Sequence, residues 1–469
     1  MSPVATRTAT PPGPVRRVVE AFRHIGLLAV AGGAANGANV VVTVIIARLL
    51  TTREYGGVAQ LVGVFVVLSM PGSALLVGVV RRVTALETAG RHDELDAWVV
   101  SARRRTLAAL GGFALVAVIV RAPLGHVLGL PGPDGVSEVL IAGGGWTLLS
   151  VERGLLQSRQ AYGRLARNLA VEGASRTVVT LGLVVAGLGI EATSLGLLAA
   201  MAACVIDARV SLASGTAPRP GLGALEEVAR APVPAPESIP PADLDAPVPI
   251  DATTSGEGPD LTTRTAIPRL GGDLAVAVAA LGLLAVLQYS DVVIIGRRSP
   301  GQAGSYAAIS VACKALVFGA IVLSGYLLPE AVWRWHHGRH ALGPLAMAVA
   351  ILTLPASVLG VVAFAIPEQI LRLVFGAGLV QAATAFGPLA VAMAALAVSV
   401  LMTNYLLGIG RRTVVAVLLV AAAGIAIGLA RGAASPGAAV RTELIGQLGL
   451  CAVLTAMVVT GRPDPSARR

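Results

Sequence analysis

Lysine is all but absent from this chain: Lys314 is the sole lysine among 36 basic residues, the rest being arginine. Charged residues make up 13% of the sequence and aromatic ones 4%, and cysteine occurs three times. Cys204, Cys313 and Cys451 each fall inside a long apolar stretch, which predicts packing residues rather than a disulfide framework. Also missing are a phosphate-cradling Walker loop, a Cys–His cluster and a nucleophile elbow. Nothing recognisable therefore binds ATP or zinc or supports acyl transfer, and no cofactor is expected. The segment WRWHHGRH (333–340) carries His336, His337 and His340. Beside Trp333 and Trp335 they suit an interfacial aromatic belt better than a metal site.

What the chain has instead is apolar length. It is 55% hydrophobic with a mean hydropathy of +0.78, and a soluble reading would require an implausibly large core. A membrane span needs about 20 mostly apolar residues to cross a ~30 Å hydrocarbon layer. Residues 25–47, 57–80 and 341–367 meet that length without a charge, and 373–410 runs 38 residues uncharged, enough for a short outer segment plus a span. These runs predict an all-α integral membrane protein with twelve helices, at about 25–48, 57–80, 104–121, 137–157, 169–190, 192–212, 271–296, 303–328, 342–365, 384–408, 413–430 and 444–461. The third is the thinnest, with 15 uncharged residues from 106 to 120. Arg103, Arg104 and Arg105 would lengthen it by snorkelling to the interface.

Arginine also sets the orientation, because short cytoplasmic loops retain an excess of it. With the amino terminus inside, the inner segments hold 21 Arg and the outer turns seven, leaving 214–270 aside. Arg297 and Arg298 run against this bias. Both termini are expected in the cytoplasm of a multi-pass protein of the cell (plasma or inner) membrane. Topology accounts for the net charge of +10, and no nucleic acid is implied.

Residues 214–270 break the pattern. APVPAPESIPPADLDAPVPIDATTSGEGPD (231–260) is Pro-rich and poor in large apolar residues, and the segment holds eight acids against four Arg. Such a composition predicts a disordered cytoplasmic linker. It divides the chain into an amino-terminal tail (1–24), a first six-helix bundle (25–213), the linker, a second bundle (271–461) and a carboxyl-terminal tail (462–469). The halves echo one another. TTREYGGVAQ (51–60) aligns with SPGQAGSYAA (299–308), setting Gly56 opposite Gly304, and RGLLQSRQAYGR (153–164) resembles NYLLGIGRRT (404–413). An even helix count per half implies parallel repeats, which transporters use with a site between the halves.

The same residues carry a family resemblance. ARLLTTREYGGVAQLVGVF (47–65), LQYSDVVIIGRRSPGQAGSYAAISVACKALV (287–317), EQILRLVFGAGLVQAATAFGPLAVAMAA (368–395) and NYLLGIGRR (404–412) resemble bacterial polysaccharide-export flippases of the O-antigen and teichoic-acid exporter type. These belong to the multidrug/oligosaccharidyl-lipid/polysaccharide exporter superfamily. The resemblance implies two six-helix bundles around a central cavity. It also implies that a polyprenyl-pyrophosphate-linked glycan moves from the cytoplasmic to the outer leaflet for cell-surface polysaccharide synthesis. Its partners would be the lipid-linked glycan, the bilayer and glycan-assembly enzymes. The chain departs from peptidoglycan-precursor flippases in lacking two further carboxyl-terminal helices and in its 57-residue linker.

Ionisable side chains at membrane depth are costly and mark candidate sites. Arg48, near the outer end of the first helix, reads either as a phosphate-gripping group or as an interfacial anchor. Lys314 lies ~16 Å deep in the eighth helix and Asp291 about 9 Å deep in the seventh, close enough for the lysine stem to bridge them. The pair reads as substrate-facing or ion-coupling, against a structural bridge. Glu172 and Arg176, four apart in the fifth helix, share a face and read either as a self-neutralising pair or as substrate-binding or coupling residues. Glu152 and Arg153 read as interfacial. Asn36, Asn39, Gln288 and Asn404 either line a polar cavity or join helices.

Three other functions compete. An ion-coupled drug or cation antiporter would favour uncompensated acids in the cavity, where this chain offers Arg48, Arg176 and Lys314 against Glu172 and Asp291. A membrane glycosyltransferase or ligase would need sizeable outer loops, and the longest here is about 18 residues. A scaffold would use the acidic linker for docking. The expectation is a non-enzymatic transporter.

Overall fold

Long uncharged runs leave the backbone no partner but itself in a bilayer, so each becomes a helix. The computed structural model describes residues 37–159, 161–214, 270–336, 342–432 and 435–460. It contains thirteen helices and no strand among these residues. They are α1 (Gly37–Leu49), α2 (Thr52–Thr88), α3 (His92–Leu128), α4 (Val136–Ser158), α5 (Tyr162–Val185), α6 (Gly189–Ala213), α7 (Leu270–Arg298), α8 (Ala303–His336), α9 (Leu342–Ala365), α10 (Pro367–Val374), α11 (Phe386–Gly408), α12 (Val414–Gly432) and α13 (Pro436–Val459). Ten of them are long and apolar enough to cross a membrane. The chain is a multi-pass membrane protein.

The twelve expected spans correspond to all helices but α10, which folds the 366–383 segment into a short helix followed by two 3-10 turns. Several boundaries differ from the sequence reading: α2 and α8 end eight residues later than expected, and α5 starts seven earlier. The third helix is 37 residues long, because Asp93 and Glu94 in its first turn complement the helix dipole and let it start a dozen residues early. The last begins at Pro436 behind a Ser435 N-cap, eight residues before its predicted start. The first twelve residues of the predicted first span, the 214–270 linker except its end residues, and His337 and His340 lie outside the described residues.

The two bundles of six are α1–α6 and α7–α9 with α11–α13. Each is built round one central helix. In α4 and in α11, 78% of the apolar window is buried, the highest share of any span, and Val136 and Phe386 start them at the repeat spacing of about 250 residues.

The halves meet at the end holding the α1–α2 and α7–α8 turns. There α2 begins in a capping box, with Thr51 accepting from Glu54 N and Glu54 from Thr51 N, worth about 1 kcal/mol. This fixes where Gly56 lies. A Cβ on Gly56 would stand 2.6 Å from that of Ala303, and one on Gly304 would overlap the Thr52 carbonyl. The repeat-related glycines are therefore the close approach that joins the bundles. One apolar cluster spans both halves here, taking Val42, Ile46, Tyr55 and Val184 from the first. Toward the opposite end, the clusters around Val79, Val151 and Leu155 and around Leu149 and Met201 contain first-half residues alone. Among the described residues, the cluster shared by the halves lies toward the glycine-joined end, and these two clusters belong to the first half.

Candidate functional site

The seam between the halves is lined at mid-depth by α2, α5, α7 and α8. Gly63 of α2 leaves room for the Tyr289 ring of α7, and a Cβ there would lie 3.0 Å from Tyr289 Cδ1. Behind that ring stands Lys314 of α8, with its Nζ 4.3 Å from the ring centroid. The ammonium also lies 3.2 Å from Asp291 Oδ1. Asp291 Oδ2 accepts from Tyr306 Oη at 3.0 Å and from Ser310 Oγ at 3.3 Å. Asp291 is fully enclosed and Lys314 is 2% exposed, so the pair is sealed inside the second half rather than open to the seam. A buried pair holds only if its remaining lone pairs are satisfied, and the two hydroxyls do that.

On the first-half side of the seam lies Arg176 of α5. It is partly buried and within electrostatic range of Tyr289 and Glu172. It makes no hydrogen bond or ion pair among the described residues. Glu172 remains within electrostatic range of Arg176, but its Oε2 bonds Arg153 Nη2 of α4, at 2.7 Å, rather than Arg176. Arg153 is further held by Asn168 Oδ1 at 2.8 Å and by the Trp146 ring at 5.3 Å. Glu152 and Arg153 are thus enclosed within the first bundle rather than facing solvent or lipid. Glu152 is fully buried between Arg103 and Arg209, at 2.6 and 3.1 Å. Three helices, α3, α4 and α6, converge on that carboxylate.

Arg48 sits at the end where the halves meet and links α1 of the first half to α10 of the second. It is exposed, and its guanidinium donates to the carbonyls of Leu373 and, at 3.0 Å, Val374, capping the end of α10. Asn404 donates to Ser324 Oγ at 3.2 Å and to Val400 O, joining α11 to α8. Gln288 is buried with its amide nitrogen unpartnered. Asn39 is partly buried, and Asn36 lies outside the described residues. All three cysteines are free. Among the described residues no group of His, Cys, Asp and Glu could hold a metal ion.

Glu443 of α13 escaped the sequence reading. It is fully buried, with Oε1 accepting from Gln447 Nε2 at 2.8 Å and Oε2 unpartnered, within electrostatic range of Asp291 and Lys314. Ser435-Pro436 was the signal available, since a cap and an N1 proline there place Glu443 two turns inside a helix.

At the level of sequence, no family model and no curated protein matches the chain. The fold is shared. A multidrug resistance MATE family transporter of the MOP superfamily, in an inward-facing conformation, superposes with a TM-score of 0.66 at 11% identity, covering 90% of this chain and 93% of that one. The lipid II flippase MurJ in an inward closed conformation gives 0.63 at 9%, covering 92% and 87%. The eukaryotic MATE transporter AtDTX14 gives 0.61 at 12%, covering 95% and 98%. The chain has the two-bundle fold of these MOP superfamily transporters.

Proposed function

We propose that the chain is a flippase that carries a polyprenyl-pyrophosphate-linked glycan between leaflets by alternating access. The observation that carries this reading is the unpaired Arg176 at the seam. Every acid near it is engaged or enclosed: Glu172 by Arg153, Asp291 by Lys314, and Glu443 inside the second half. The seam therefore presents net positive charge to a substrate, and a guanidinium with free N–H groups suits a pyrophosphate. Tyr289, backed by Lys314, packs across the seam against Gly63. In this reading Arg176 touches substrate and the Lys314–Asp291 pair positions Tyr289. If the arginine bias orients the chain as expected, the end where the two glycines join the halves is the outer one.

One observation favours a drug or cation antiporter. Glu443 is a buried carboxylate with no cation bonded to it, as coupling to a proton would use. Leaflet transfer of the glycan lipid in vesicles, compared with extrusion of a cationic dye, separates the two. Loss of transfer in Arg176→Gln at unchanged abundance supports the flippase.

A further inference from the structure

A second basic site lies on the outside of the first bundle. A pocket of about 700 Å³ opens between α3, α4 and α6, where α3 begins and the other two end. Arg103, Arg104, Arg159 and Arg209 line it, against Asp96 and the buried Glu152 behind. Four guanidiniums and two carboxylates leave an excess of two positive charges. Glu152 fixes Arg103 and Arg209 through three hydrogen bonds, leaving most of their N–H groups unused. The side chains of Arg104 and Arg159 are exposed and have no hydrogen bond or ion pair among the described residues.

The rest of the lining is apolar, including Val100, Leu107 and Leu212. Val100 and Leu107 are 59% and 53% exposed and flank Arg104 by one turn on either side. Beyond Leu107 the exposed stripe of α3 stays apolar through Leu115, Val118 and Ile119. That stripe belongs against acyl chains, so the pocket opens to lipid and not to a water-borne protein. Depth agrees. Arg104 and the exposed Arg121 bound the uncharged part of α3, 17 residues or ~26 Å apart, so both reach the faces of a ~30 Å hydrocarbon core by snorkelling. The four arginines are therefore at headgroup level with apolar wall below them.

We propose that this pocket binds the phosphate of an anionic phospholipid, its diester held by Arg104 and Arg159 and its chain against Leu107. Basic pockets between transmembrane helices are suited to such headgroups. The site is separate from the seam and does not depend on what the seam carries.

The test uses the purified full chain and native mass spectrometry, with phosphatidylglycerol and phosphatidylcholine as probes. Wild type should retain phosphatidylglycerol over phosphatidylcholine by about tenfold. Arg104→Gln with Arg159→Gln should abolish that preference without unpairing Glu152, while both positions as Lys should keep it and Arg298→Gln at the opposite end should change nothing. Equal retention by wild type, or a preference surviving the Gln pair, would overturn the proposal. So would displacement by millimolar inorganic phosphate, which would mark a site for a free anion. Displacement by equimolar polyprenyl diphosphate would also overturn it, reassigning the pocket to the path of a lipid-linked substrate.

Discussion

Lys314 and Asp291 form a closed ion pair, 3.2 Å apart, inside the second bundle. The only lysine of the chain thus touches no solvent and props the Tyr289 ring against the seam. Arginine here would bring five N–H donors into an enclosed space where Asp291 offers one oxygen not already bonded to Tyr306 and Ser310.

Removing one partner leaves the other charged and buried, at a cost of about 3–5 kcal/mol. Lys314→Met and Asp291→Asn should each lower membrane abundance and thermal midpoint. The double variant should recover abundance, yet transport slowly because Tyr289 has lost its support. Full abundance and transport in Lys314→Met would show the pair to be expendable.

Gly304 has no space for a side chain beside the Thr52 carbonyl. Gly304→Ala should loosen the glycine-joined end, and a cysteine at Ser305, buried here, should then react faster with an impermeant thiol reagent added from that side. An unchanged rate would mean the bundles are held together elsewhere.

Much of this architecture is legible in the sequence. Long uncharged runs specify helices whatever their neighbours, and depth along two adjacent helices was enough to pair Lys314 with Asp291. What failed depended on a third helix. The spacing of Glu172 and Arg176 describes one helix face and is blind to Arg153 arriving from α4. Glu152 looked interfacial because its partners, Arg103 and Arg209, are 49 and 57 residues away. Arg48 meets α10 across 326 residues, a contact no local pattern encodes. Glu443 was missed because the charges of 431–443 read as a turn, although the Ser435 cap marks a helix start.

Glu443→Gln preserves shape and the hydrogen bond to Gln447 while removing any proton to exchange. Abundance should stay at wild-type level. If transport is coupled through this carboxylate, its dependence on an imposed pH gradient should vanish in the variant, and a gradient response equal to wild type would exclude Glu443 from coupling.

Orientation is open to direct labelling. Cysteines placed at Gly90 and at position 240 should react from the cytoplasmic side, and one at Gly301 from outside, as the 21-to-7 arginine bias requires. The reverse pattern would place the glycine-joined end of the seam in the cytoplasm.

The central claim is that the seam seats an anionic, lipid-linked substrate on Arg176. Its most direct measurement is leaflet transfer of a polyprenyl-pyrophosphate-linked glycan in reconstituted vesicles, read by accessibility to an impermeant glycan-cleaving enzyme. Wild type should transfer it, and Arg176→Gln should transfer it at least about tenfold more slowly at equal protein level, as expected for losing a charge-assisted contact. No transfer by wild type, or equal rates for the two proteins, would contradict the account.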